Sequence, residues 1–373
     1  MASLMVTSMV KEKTVEKLEK LGKQMVAQVN KNEGPTFETV LRTKSNTIYD
    51  DGLGCLRTGD KKEIRKFLSM AQARTFMQTV AVAAKSKTFV DQELHTSIRG
   101  LFYQLKFSLG EDMDEELFSE QSESNALIED LEVALKVKRE DLNLTTDRKG
   151  FVAGPMVLKD RFGGEETTID CTKQGRSGWS IPSDVDNGME IKSVDADYVI
   201  CIEKDALLQR LNDDKFWKKE NCLLITPKGQ STRGTRRLLR KLADKKLPVY
   251  CLMDCDAWGW YIYWTIKTGS MNLAYLGRDF AVPEARFLGV TMSDIEEFDF
   301  LQKLTIKAKD VDIKRAEEML GYPWINMHNE WVKELKMVLQ TKKKIEQDAL
   351  QGQKLTFVGE YIKEKIKNKK WLP

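Results

Sequence analysis

Histidine is nearly missing from this 373-residue chain: only His95 and His328 occur. The six cysteines, Cys55, Cys171, Cys201, Cys222, Cys251 and Cys255, form no C-x-x-C pair. A zinc site is therefore not expected. Cys201, Cys222 and Cys251 stand inside apolar runs and read as small core hydrophobes, the reduced thiols of a cytosolic protein. No apolar run approaches the roughly 18 residues of a membrane span, and no signal peptide is legible. No G-x-x-x-x-G-K-[ST] occurs, which disfavours nucleotide hydrolysis by this chain. Charge of one sign is not in excess either: 60 Lys and Arg against 57 Asp and Glu leave +3. So balanced a total neither argues for nor excludes a nucleic-acid partner, because a basic groove can hide within it. There is no internal repeat of fixed period and no low-complexity tract.

What is present suits a globular protein of two or three domains: 41% hydrophobic and 31% charged residues over this length. Residues 8–32 carry Met9, Val15, Leu18, Leu21 and Met25 at helical spacing among lysines and glutamates. This predicts an amphipathic helix, stopped by "NEGP", that packs on its own protein or docks on a partner. Residues 1–34 form this segment, and residues 35–64, around "DDG", read as an extended arm or hairpin. Residues 65–160 give three helical stretches and then, in "DRKGFVAGPMVLKDRFGGEE", a hairpin pattern. That is the element order of a winged-helix domain, whose recognition helix lies on DNA. Residues 161–194 are polar and read as a connecting segment. From 195 to 373 the texture changes. "ADYVICIEKDALLQRL", "NCLLITPKGQSTRGTRRLLRKLADKK" and "LPVYCLMDCDAWGWYIYW" each give an apolar run, a turn and a helix, with a helical, charged part following. Such repetition predicts α/β units on a parallel sheet. The whole is a multidomain α+β chain.

Acids sit where such a sheet binds ligands, at the carboxyl ends of its strands. "DYVICI" ends in Glu203; "VYCLM" ends in Asp254, with Asp256 two residues on. In an extended segment i and i+2 face the same side, so these acids can converge with Glu203. Crowded carboxylates repel, and an oxygen-only donor set favours Mg²⁺. The competing reading is that they cap helix N-termini and face helix dipoles. "TPKGQSTRGTRR" places Lys228, Arg233, Arg236 and Arg237 in a glycine loop that either lines a phosphate path or begins a solvated helix.

Glu203 in "IEKDA", "KGQ" at 228–230 and "DCDAWG" at 254–259 resemble a Toprim domain, the metal-binding fold shared by topoisomerases, bacterial primases and some nucleases. Seven further segments, in order, are "RTKSNTIYDD", "RKFLSMAQARTFMQT", "TSIRGLFYQLK", "DLEVALKVKREDLNL", "RKGFVAG", "YIYWTIKTGSMNLAYL" and "AVPEARFLGVTMSDI". Together they resemble the type IIB topoisomerase A-subunit family: the A-subunit of archaeal DNA topoisomerase VI and the eukaryotic protein that makes meiotic double-strand breaks. The resemblance runs from about residue 35 to near the C-terminus. It implies a winged-helix domain followed by a Toprim domain, and a nucleophilic tyrosine closing an Arg-x-x-aromatic-Tyr segment. Here that segment runs from Arg99 through Phe102 to Tyr103, with Arg99 to hold the phosphate and favour the phenolate.

The chemistry implied is reversible transesterification to a 5′-phosphotyrosyl bond, with Mg²⁺ on Glu203 and Asp254 and Asp256 as third ligand or tuner. A homodimer is implied in which one copy's tyrosine meets the other's metal. So is an A2B2 heterotetramer with a GHKL-type ATPase B-subunit. The assembly would act on double-stranded DNA in a nucleoid-associated, cytoplasmic setting to relax and decatenate it. A meiotic-type nuclease without strand passage and a non-catalytic DNA-binding scaffold stay open as alternatives. Two departures stand out: Ala257 where the family usually has proline after the second aspartate, and Phe102 where a tyrosine pair is common.

Overall fold

The computed structural model describes residues 2–110, 115–162 and 165–373. Two compact units emerge, one of residues 1–47 and 58–147, the other of residues 48–57 and 148–373.

The first unit begins with the helix α1 (Ala2–Asn30) and the strand β1 (Thr36–Val40). The strands β2 (Thr47–Asp50) and β3 (Cys55–Thr58) come next in the chain, belong largely to the second unit, and pair with each other around the Asp-Asp-Gly turn. Back in the first unit, β4 (Lys62–Lys66) pairs antiparallel with β1, setting Phe37 opposite Arg65. Then follow α2 (Ala73–Asp91), β5 (Thr96–Ser97), α3 (Ile98–Leu105), α4 (Gln121–Leu135) and β6 (Leu144–Thr145), the last pairing parallel with β5. One core joins these pieces, built on Leu18, Val82, Phe89, Leu101, Phe102 and Leu131. Of the stripe predicted on α1, Leu18 is buried and Leu21 packs beside it, while Met9 lies exposed. The helix therefore rests on its own unit by one narrow edge. Met9, Val26 and Val29 stay more than half exposed.

A buried ion cluster ties the strands of this unit to α4. Arg42 Nε donates to Asp130 Oδ1 at 2.9 Å, and Arg65 Nη2 to Asp130 Oδ2 at 2.5 Å. Asp130 and Arg65 are both buried. Asp130→Ala would leave two guanidiniums sharing a site with one of their counter-ions gone. Breaking a buried pair in this way costs about 3–5 kcal/mol, and a urea melt of the variant should show a loss of that size.

The second unit carries β7 (Phe151–Ala153), β8 (Met156–Phe162), β9 (Glu165–Asp170), β10 (Trp179–Ser180) and β11 (Met189–Val194). The α/β repeats follow: β12 (Tyr198–Ile202), α5 (Asp205–Asp213), α6 (Phe216–Lys219), β13 (Cys222–Thr226), α7 (Arg233–Asp244), β14 (Val249–Leu252), α8 (Ala257–Lys267) and β15 (Arg286–Gly289). Six strands form one sheet in the order β10-β7-β13-β12-β14-β15. β12 is parallel to both β13 and β14, and β14 is parallel to β15. Every residue of β13 and β14 is buried, as strands covered on both faces require. A second, antiparallel sheet has the order β11-β8-β9. Beneath α8, Trp331 is fully buried and its ring lies 5.0–5.7 Å from those of Phe287, Tyr263, Trp264 and Trp260. Of the aromatic run after Asp256, Trp260, Tyr263 and Trp264 are thus core, while Trp258 stays exposed.

Two sequence expectations need correction here. The hairpin expected to close the three-helix domain does form, as β8 paired antiparallel with β9, but it lies in the second unit, and β7 before it pairs antiparallel with β13 inside the six-stranded sheet. Phe151, Val152 and Ala153 are all buried, the mark of an interior strand and not of a wing facing solvent. Nor are residues 161–194 a mere connection. They supply all of β9, β10 and β11, with Cys171, Trp179, Ile181, Val185 and Met189 buried. Those buried residues come singly among polar neighbours, the pattern of an antiparallel sheet covered on one face, and so they read as linker.

Candidate functional site: a carboxylate centre and an exposed tyrosine

The carboxylate centre is assembled at the carboxyl ends of β12 and β14. The Glu203 N–H donates to the Leu252 carbonyl at 3.1 Å, extending the pairing of these strands by one residue. The Glu203 carbonyl accepts from Gly229 N–H at 2.9 Å and from the Thr226 hydroxyl at 3.3 Å, so the "KGQ" loop anchors it. Its side chain turns to β14, where Oε2 accepts the Asp254 N–H at 3.0 Å. Asp254 Oδ1 accepts the Gln347 N–H at 2.8 Å, and its Oδ2 lies 3.3 Å from Lys204 Nζ. Asp256 is the N-cap of α8, accepting from Trp258 N–H at 3.0 Å and Gly259 N–H at 2.8 Å. Both readings of the acids therefore hold a share: Asp256 caps a helix, and Glu203 and Asp254 do not.

The centre is electrostatically frustrated. Burial, then the charge of Asp254, pushes the Glu203 carboxyl up to about 7, with Asp256 adding to the rise. Asp254 is raised as well, mainly by burial. Among the described residues no lysine or arginine pairs with Glu203. An oxygen-only set of crowded acids with one carboxylate uncompensated fits a hard divalent cation. Yet no three Asp, Glu, His or Cys side chains among the described residues converge closely enough to hold an ion together. The reason is visible in Asp256, whose Oδ2 meets Lys344 Nζ at 3.1 Å.

Sequence reasoning missed the segment that walls this centre. Cys255 and Ile345 exchange backbone hydrogen bonds of 2.9 and 3.2 Å. That short ladder sets Lys344 beside Asp256 and Gln347 beside Asp254. Lys204 reaches Glu346 and Asp348 in the same segment, at 2.6 Å each. Pairing between positions so distant in sequence left no local signal.

Gly259 lies within α8, and a Cβ there would sit 2.4 Å from the Asp254 carbonyl oxygen and 3.0 Å from its nitrogen. No side chain can move aside, because the obstacle is backbone. Gly259→Ala should cost about 1–3 kcal/mol and shift Asp254; thermal melts together with ion titration would register both.

The tyrosine segment lies in the first unit. α3 is capped by Ser97, whose Oγ accepts the Gly100 N–H at 2.9 Å. Phe102 faces the core, whereas Tyr103 is 59% exposed. The Arg99 guanidinium, one turn earlier, lies 5.8 Å from the Tyr103 ring centre. Its hydrogen bond and then its charge lower the phenol below the ordinary range, with Lys106 helping.

The four basic residues are placed otherwise than a phosphate path requires. Arg236 is 2% exposed, over the Phe280 ring. Arg233 is buried and donates to the Tyr275 hydroxyl at 3.1 Å. Arg237 pairs with Asp186 at 2.8 Å. Three arginines at the start of one helix read as a basic surface in sequence, but α7 lies against the sheet and turns these positions inward. Lys228 alone is well exposed, 3.0 Å from Asp205.

Acids at the ends of parallel strands, with helices in each crossover, define a Toprim-type metal-binding domain. Residues 198–366 match the family described as the Toprim domain of the topoisomerase 6 A-subunit and Spo11. Residues 74–144 match "Type IIB DNA topoisomerase", and residues 149–195 match the "All-beta domain in DNA topoisomerase VI alpha subunit". The chain is 39% identical to the A-subunit of type 2 DNA topoisomerase 6 from Pyrococcus abyssi, over 97% of its own length and 96% of that protein's. It is 33% identical to the protein of the same name in Methanocaldococcus jannaschii, over 96% of each. To the DNA topoisomerase 6 A-subunit of Arabidopsis thaliana it is 30% identical, over 94% of this chain and 79% of the plant protein. The chain belongs to the topoisomerase VI A-subunit family of type IIB DNA topoisomerases.

Proposed function

We propose that this chain is the DNA-cleaving and rejoining subunit of an ATP-dependent type IIB topoisomerase, with Tyr103 as its nucleophile. One observation carries the reading: an exposed phenol with an arginine guanidinium beside its ring on the same helix face. An ordinary amphipathic tyrosine packs its ring and needs no such partner. The Tyr103 oxygen attacks a backbone phosphorus, the bond to the 3′-oxygen breaks, and the 5′-phosphate stays on the tyrosine. The phenolic proton is released and the 3′-oxygen takes one up, so bond count and charge balance and the break reseals by the reverse step. Arg99 holds the phosphate and stabilises the phenolate.

Glu203 and Asp254 would hold Mg²⁺, which supplies positive charge toward the phosphate and the departing oxygen. The Asp254 N–H orients Glu203 Oε2, and the Gln347 N–H orients Asp254. Two copies of the chain give one cut per strand, and duplex passage through the break relaxes and decatenates DNA. ATP turnover belongs to a separate B-subunit. The exposed edge of α1 supports a docking role for it, so deletion of residues 1–33 should weaken co-purification. Lys228 remains a DNA contact. The relatives' names favour strand passage over a meiotic-type nuclease. The test is to incubate the chain and its B partner with supercoiled plasmid, Mg²⁺ and ATP, then denature. Protein joined to DNA 5′ ends supports the reading; free 5′ phosphates refute it.

A further inference from the structure

Lys344 sits at the carboxylate centre without an explanation from the reaction as described. Its ammonium lies 3.1 Å from Asp256 Oδ2 and 3.0 Å from Asp312 Oδ2, with the side chain 14% exposed. Asp312 is almost wholly buried, and its Oδ2 also accepts the Lys309 N–H; among the described residues Lys344 is the cation paired with it. The ladder between Ile345 and Cys255 fixes the lysine's backbone. Asp256 in turn is fully engaged, with Oδ1 on the two N–H groups of α8 and Oδ2 on Lys344.

Asp254 is held differently. Its cation, Lys204, is 3.3 Å away but only 2.6 Å from each of Glu346 and Asp348, with the side chain 26% exposed. That lysine can leave Asp254 and keep two closer partners. Glu203 has no cation paired with it among the described residues. An incoming ion thus meets Asp254 with a cation that can leave and Glu203 with none paired among the described residues, while Asp256 stays occupied.

We infer that Lys344 is a resident cation of the cleavage centre: Asp256 positions it and ligates no metal, and the chain takes one divalent ion, on Glu203 and Asp254. In two-metal sites the cations clamp the attacking and leaving oxygens of one phosphate. An ammonium is a compact charge with three donors and binds phosphate as a point charge, so it supplies the second half of such a clamp without a second ion. The inference rests on Glu203 and Asp254 being metal ligands.

Mn²⁺ titration of the full chain followed by electron paramagnetic resonance tests it without DNA or activity. Wild type should bind one ion. Glu203→Gln and Asp254→Asn should each weaken it by about 100-fold, while Asp256→Asn should weaken it by less than about 10-fold, its carboxamide still capping α8. Lys344→Arg should keep a single ion, whereas Lys344→Met combined with Asp312→Asn should admit a second. The paired variant removes both charges of the buried pair, and a melt in chelator checks that it folds. Two ions on wild type, Asp256→Asn as damaging as Asp254→Asn, or a single ion on the folded double variant would each overturn the inference. If neither Glu203→Gln nor Asp254→Asn alters Mn²⁺ binding, the metal-centre reading itself falls.

Discussion

Tyr103→Phe is expected to leave no protein on DNA 5′ ends, with the fold unchanged. The substitution deletes one oxygen from a side chain that is 59% exposed, so stability should move by no more than about 0.5 kcal/mol. The reaction, by contrast, has no other oxygen in that place. Phe102 is the nearest aromatic, its ring centre 5.2 Å from that of Tyr103, but it is buried. The double variant Phe102→Tyr/Tyr103→Phe should therefore stay inactive, because its hydroxyl would enter the core. Strand cleavage should fall by about 10⁴-fold or more, the scale on which removal of a nucleophile acts. Arg99→Gln should be milder and should shift the pH dependence. The lowered phenol acidity comes first from its hydrogen bond to Arg99; without it the phenol ionises at higher pH, and the cleavage optimum moves up. A 5′ adduct that persists in Tyr103→Phe, seen by gel retention after detergent and lost on protease treatment, would remove Tyr103 from the mechanism.

The sequence made the parallel sheet and its acids legible because β12, β13 and β14 are short, apolar and closed by turns, with the acids standing at the strand tips. The same local logic found the helical stretches of the first unit. It failed where a residue's role depends on what lies across the fold. Phe151–Ala153 reads as half a hairpin until β13 is seen beside it. Arg233, Arg236 and Arg237 read as a basic surface until α7 is seen to turn them inward. Lys344 and Gln347 lie in a charged C-terminal stretch, and nothing nearby in sequence says that they adjoin Asp256 and Asp254. Family resemblance supplied Tyr103, which composition and spacing leave as one tyrosine among nine.

Glu203→Gln is expected to stabilise the chain and inactivate it together. Burial and the charge of Asp254 raise the Glu203 carboxyl from 4.5 to about 7. A folded value above the unfolded one means that the native state disfavours the ionised form. Glu203 thus does no harm below about pH 4.5; its contribution is lost as pH rises through about 7 and stays lost above that. In chelator near pH 8 the ionised Glu203 costs the native state about 2–3 kcal/mol. Glutamine has the same shape and its carbonyl can keep the 3.0 Å bond from the Asp254 N–H, so it removes the charge and little else. The variant should melt above wild type in chelator near pH 8, and the gap should close toward pH 4.5. Adding Mg²⁺ should reverse the order, since an ion compensates the charge in wild type and finds a weaker site in the variant. Cleavage should fall by about 100-fold or more. Equal melting of the two proteins in chelator near pH 8 would mean that Glu203 is not held against its charge. Glu203 would then be an ordinary strand-end carboxylate, and the cation would have to be sought elsewhere.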